Sequence, residues 1–157
     1  MAEPQLFDAG IVNVSFGERV RIVRPVNLYG CTLGDDCFVG PFVEIQKDVI
    51  IGARTRVQSH AFICELVTIG GDCFISHGAM FINDRMSIGK PAFGHPETWE
   101  RTVLGDRVVV GTNATILPVS ICADVMIGAG SVVTSDIVKP GIYAGNPARF
   151  RRSCGGR

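Results

Sequence analysis

Asn83, Asp84 and Arg85 follow one another directly after an apolar run, and His60, Glu65 and His77 precede them by a short distance. These are side chains that can hold an amine, move a proton and orient a polar substrate. An asparagine oxygen accepts from an amine and aims its lone pair. An imidazole takes a proton near neutral pH, and a carboxylate orients an imidazole or a hydroxyl. The chemistry exists only if the chain brings the groups together. Glu65 and Asn83 are eighteen residues apart, as are Ser59 and His77. The first question is whether eighteen is a structural repeat.

Every sixth residue from Leu33 is apolar: Leu33, Val39, Ile45, Ile51, Val57, Ile63, Ile69, Ile75 and Phe81. The position two before each anchor is also restricted, as in Cys37, Val43, Val49, Thr55, Ala61, Val67, Cys73 and Ala79. Glycine often follows the anchor, at Gly34, Gly40, Gly52 and Gly70. The pattern resumes with Leu104, Val110 and Ile116, slips by one residue to Ile121, and runs on through Ile127 and Val133. Neither a helical period nor a two-residue alternation accounts for this. Short strands joined by tight turns do, with glycine expected to tolerate the backbone of the corner. Three hexads close one triangular coil, and stacked coils form an all-β, parallel β-helix.

One interval breaks the rule. Phe81 to Leu104 spans 23 residues where a hexad needs six, so residues 82–103 are read as an extruded loop, the kind of insertion that usually carries function. The expected layout is an N-terminal cap or edge segment over 1–14, the β-helix over 15–148 with its loop at 82–103, and a basic tail over 149–157. The coil then stacks Glu65 under Asn83 and Ser59 under His77, gathering Glu65, Asn83, His60 and His77 near the base of the loop. The plainer alternatives are solvated turn residues for His60, His77 and Glu65, and a turn start for Asn83. His95 precedes a proline and shapes the chain, or takes part in the site. Trp99 covers apolar wall surface, or does likewise.

The 157 residues suit one domain. Fifteen basic residues balance fifteen acidic ones, so no overall field favours nucleic acid or an acidic membrane. Mean hydropathy is high at +0.29, yet no apolar run is long enough to span a bilayer. "MAEPQLFDAG" lacks a basic region followed by an apolar stretch, so no signal peptide and a cytoplasmic location are expected. Six cysteines lie at irregular spacings without a C-x-x-C pair. Cys37 and Cys73 occupy core positions, so free buried thiols are expected rather than disulfides or structural zinc.

The six-residue period, over roughly residues 15 to 148, resembles the hexapeptide-repeat proteins. That resemblance implies a left-handed β-helix, against the usual right-handed crossover, and packing into a homotrimer. "SHGAMFINDR" looks like the sugar N-acyltransferases of the superfamily. "VGTNATILP", "IGAGSVVT" and "YAGNPAR" look like its C-terminal coils and coenzyme A edge. The nearest likeness is to enzymes that N-acetylate amino sugars carried on a nucleotide. What the resemblance implies is acetyl-CoA as donor, no metal, and Asn83 beside the reacting amine. His77, then His60, is the candidate base, with Glu65, Asp84 and Arg85 toward the substrate. The turns at Gly111 and Ala129 would meet pantetheine, and Lys139 and Arg149, with Arg151 and Arg152, the phosphates. The fold also resembles γ-class carbonic anhydrase, whose ligands include an H-x4-H pair; five residues past His77 stands Ile82, which cannot bind zinc. An O-acetyltransferase and a non-catalytic β-helix assembly subunit remain the alternatives.

Overall fold

A strand of two residues buries too little to stand alone, so each must find partners in the coils above and below. In a computed structural model, which describes residues 3–6, 8–93 and 95–155, the chain winds into a three-sided column of parallel strands. Residues 1, 2 and 7 of the N-terminal segment, 94 of the loop, and 156 and 157 of the tail lie outside the described residues. The three walls carry seven, six and eight strands. This is the all-β, parallel β-helix expected from the repeat, of the left-handed kind that the resemblance implies.

The first wall contains Phe62–Ile63 and Met80–Phe81, the second Val67–Ile69 and Thr102–Leu104, and the third Phe74–Ile75 and Val109–Val110. Vertical neighbours are eighteen residues apart where Phe62 pairs with Met80, and seventeen where Leu28 pairs with Ile45 and Ile116 with Val133. The short coils each have one five-residue side, Leu28 to Leu33 and Ile116 to Ile121. The second of these is the slip visible in the repeat. Across the insertion Ile69 pairs with Leu104 and Phe81 with Ile116, so the column continues as though the loop were absent.

The anchors fill the interior; Leu33, Ile45, Ile63, Ile75, Phe81 and Ile116 are fully buried. Each such burial stabilises by roughly 1.5–3 kcal/mol. Thr55 is a polar exception among the inward positions. Its hydroxyl donates to Gly70 O at 2.9 Å and accepts from Cys73 N at 3.0 Å, so no polar atom is left bare. All six cysteines are free, and Cys31, Cys37, Cys64 and Cys73 are buried as expected. Burial pushes the Cys31 thiol up to about 11 and the Cys64 thiol up to about 12.

The glycines after the anchors correct the reason given for them. Gly34, Gly52 and Gly70 do not adopt a positive φ. They are small because coils touch there: a Cβ on Gly52 would lie 2.5 Å from Gly70 C, and one on Gly34 2.7 Å from Ala53 N. The left-handed residue falls two positions later, at Asp36, Arg54 and Asp72. Among the described residues no β-branched residue occupies a left-handed position, as steric clash demands. One corner, between the second and third walls, is a column of such residues in which arginine and aspartate alternate. Arg19–Asp36, Arg54–Asp72 and Arg107–Asp124 each close at 2.7 Å, and the arginine hydrogen bonds hold Asp36, Asp72 and Asp124 below the usual carboxylate range.

Both ends carry strands outside the hexads. Ile11–Val12 already pairs with Asn27–Tyr29, so the column starts inside the N-terminal segment. Arg149–Arg152 forms a strand that doubles back antiparallel on Gly141–Ala144, so part of the basic tail closes the top of the third wall.

Candidate active site

Six-residue sides put residues of matching phase on the same edge, and two edges of the first wall carry the candidate groups. After Phe62–Ile63 and Met80–Phe81 the chain turns toward the second wall, and there Asn83 Nδ2 donates to Glu65 O at 3.3 Å. Glu65 and Asn83 are vertical neighbours, as their spacing requires. The loop leaves immediately above them and closes on itself through Glu100 N to Asn83 O at 2.8 Å. Asp84 holds its turn: Oδ1 accepts from Met86 N at 2.7 Å and Oδ2 from Ala92 N at 2.8 Å. Arg85 reaches Glu100 Oε2 at 3.3 Å and donates to Pro118 O. In this structure Asp84 and Arg85 are engaged in shaping the loop.

Under the loop is a recess of about 400 Å³ whose lining includes Tyr29, Gln46, Glu65, Asn83, Asp84 and Trp99. Cys64, Ile82 and Met86 supply apolar surface. Gln46 Oε1 accepts from Glu65 N at 3.3 Å, and Gln46 Nε2 donates to Glu44 Oε1 at 2.8 Å. Burial, and after it the charges of Glu44 and Glu65, raise the Tyr29 phenol above its ordinary value. Trp99 lines the recess, whereas His95 is exposed and pairs with Glu97 at 3.2 Å. Tyr29 and Gln46 were not singled out in the sequence. Stepping down from Ile82 and Cys64 by one more coil, then another, reaches both, so the signal was present.

The imidazoles occupy the other edge, before Phe62–Ile63 and Met80–Phe81. His77 Nδ1 lies 2.7 Å from Ser59 Oγ, again one coil apart. His60 is an exposed left-handed turn residue, φ 63°, with its ring 4.8 Å from that of Phe42. Neither histidine lines the recess at Asn83. The four groups therefore do not form one cluster within a chain: the whole outer width of the first wall separates the two pairs, because five or six residues of extended chain carry the backbone from one corner to the next.

Gly111 and Ala129 rise above His77 on the same edge. Gly111 N donates to Ile127 O at 2.9 Å and Gly111 O accepts from Ala114 N at 3.1 Å, so both backbone groups are engaged. A Cβ on Gly111 would lie 2.5 Å from Ala129 N. The turn at 145–148 caps this region, with Val132 N to Gly145 O at 3.0 Å and Ala148 N to Val132 O at 2.8 Å. Lys139 Nζ sits 4.8 Å from the Phe150 ring centroid, and Arg149 is exposed. No group of three or more metal-ligating side chains occurs among the described residues. No helix among them is long and apolar enough to cross a membrane.

Residues 30–65 match the bacterial transferase hexapeptide (six repeats), and residues 101–135 the hexapeptide repeat of succinyl-transferase. The bifunctional protein GlmU of Clostridium beijerinckii is 30% identical over 154 residues, 92% of this chain and 33% of the relative. The chain spans about a third of the length of the curated relatives it matches. Among solved structures, the polySia specific acetyltransferase NeuO superposes with a TM-score of 0.57 at 26% identity, over 92% of this chain and 82% of its own. A hexapeptide-repeat-containing acetyltransferase from Vibrio cholerae, complexed with acetyl coenzyme A, shares the fold at a TM-score of 0.67 and 24% identity, over 81% and 72%. Column, repeat and these likenesses show a chain built of hexapeptide repeats and similar to acetyltransferases that carry the same repeat.

Proposed function

We propose that the chain transfers acetyl from acetyl-CoA to the amino group of a nucleotide-linked amino sugar. The observation that carries this reading is the recess under the loop, with Asn83 at its base and aromatic and polar side chains around it. Asn83 Oδ1 accepts from the incoming amine and aims its lone pair at the thioester carbon. Nitrogen attacks, the C–S bond breaks, and the thiolate leaves with the proton. An amine needs no strong side-chain base for this route, so the lack of an imidazole among the recess residues of one chain does not count against it.

The donor belongs on the histidine edge. The edge runs from His77 past Gly111 and Ala129 to the 145–148 turn, with Arg149 and Arg151 near its top for phosphates, whereas Lys139 enters from the other margin of the third wall, before Gly141–Ala144. Donor edge and acceptor recess lie on opposite margins of one wall, so the reading requires a second copy, and a homotrimer supplies it by setting the histidine edge of one column against the recess of the next. The exposed apolar tip of the loop, Met86, Ile88 and Phe93, is surface of the kind such packing covers. Free buried thiols suit a reducing cytoplasm.

A second reading is supported by the 2.7 Å contact between Ser59 and His77. An imidazole held in this way is the base that a hydroxyl acceptor requires, which would make the protein an O-acetyltransferase. Incubation with acetyl-CoA and a panel of amino-sugar nucleotides and hydroxyl sugars, read by free-thiol release, separates the two. Release only with amines is the expected result; release only with hydroxyl acceptors replaces it by the second reading, and none with either leaves an assembly subunit.

A further inference from the structure

Charge in the recess is one-sided. Within one chain its lining holds the carboxylates of Glu65 and Asp84 and no lysine, arginine or histidine. The sequence neighbour with a positive charge, Arg85, turns its guanidinium to Glu100 and to Pro118 O. Glu44 stands just behind, bonded to Gln46, and with Glu65 it adds to the burial effect that resists ionisation of Tyr29. Asp84 spends both oxygens on backbone N–H groups of the loop. No side-chain hydrogen bond occupies the Glu65 carboxylate among the described residues, so it is the anion left for a ligand. Trp99, Phe62 and Tyr29 add aromatic surface, against which the apolar face of a sugar ring packs and toward which a cation is drawn.

We propose that this recess captures an amino sugar as its ammonium through Glu65 and excludes phosphate, so that any phosphate on the acceptor lies outside it. The Glu65 carboxylate takes one proton to leave the neutral amine that Asn83 holds, and the second proton departs with the thiolate. The inference rests on the acceptor assignment above and deepens it. A phosphate entering here would meet like charge and no compensating donor cation. An ammonium gains a charge-assisted hydrogen bond to Glu65, and a volume of about 400 Å³ admits a hexose ring.

Calorimetric titration without acetyl-CoA tests it, using glucosamine, glucose and glucose 1-phosphate as probes. Glucosamine should bind about tenfold more tightly than glucose, one charge-assisted hydrogen bond's worth, and added salt should narrow the gap. Glucose 1-phosphate should bind no better than glucose. Glu65→Gln should abolish the preference for glucosamine with the melting temperature unchanged, whereas Asp48→Asn, an exposed carboxylate outside the recess, should keep it. Equal binding of glucosamine and glucose, tighter binding of the phosphate, no binding of glucosamine at millimolar concentration, or a preference that survives Glu65→Gln each overturns the inference. Failure is distinguishable from that of the acetyltransferase reading: glucosamine binding without any thiol release in the acceptor screen sinks the enzyme and leaves this site, and thiol release with no ammonium preference does the reverse.

Discussion

Asn83 and His77 carry different kinds of evidence. Asn83 is anchored by its Nδ2 contact to Glu65 O, which leaves its oxygen as the acceptor side. Asn83→Ala is expected to lower turnover about 10²-fold through lost positioning with the melting temperature unchanged; unchanged turnover in steady-state assays removes Asn83 from the proposed mechanism. His77 lies on the other edge, held by Ser59. If the thiolate takes the proton, His77→Ala costs less than about tenfold in kcat. A loss of about 10²-fold or more is what general-base catalysis contributes, and marks imidazole as the base. Both residues were chosen by spacing and by resemblance, and spacing paired each with its correct vertical neighbour. What it obscured was the horizontal distance. His60 and Glu65 are five apart in sequence, yet Phe62–Ile63 runs between them as a strand, and an extended pair of residues separates its flanking corners instead of joining them.

The element that determines the column is the coil, and its tolerance is set by contact between successive backbones. Gly52 leaves no room for a methyl, since the added atom would meet Gly70 C and Gly71 N at 2.5 and 2.6 Å. Gly52→Ala is expected to destabilise by about 1–3 kcal/mol, the ordinary cost of overpacking, seen as a lower denaturation midpoint; a neutral effect would show that the coils can slide apart. Thr55→Val tests the same coil from inside. It strands Cys73 N, whose partner is the Thr55 hydroxyl, at a cost of about 1–3 kcal/mol for the unsatisfied donor. The period of six made the inward positions legible because burial recurs with it. The reason for each glycine was not legible: sequence shows that a side chain is absent, and only the distance to the next coil tells whether a left-handed backbone or a close approach excluded it.

For the molecule as a whole, the arginine–aspartate column makes stability depend on acid. The folded carboxyls of Asp36, Asp72 and Asp124 are depressed by their arginine partners. Their contribution is therefore present above the unfolded carboxylate value and is lost as pH falls through the lower folded one. The melting temperature should drop as pH is lowered below about 4, and less steeply at high salt, because exposed pairs are screened. A midpoint flat across that range would mean that the ladder is ornamental. By itself the sequence determined the three-sided column, the stacking of Glu65 under Asn83 and Ser59 under His77, and the place where a loop must leave, because a one-dimensional repeat maps directly onto height along the axis. Only the tertiary structure decided which edge each group occupies, that Asp84 and Arg85 are taken up by the loop, and that Tyr29, Gln46 and Trp99 close around one recess. Those facts depend on the path of an irregular segment and on contacts across coils, which no period encodes.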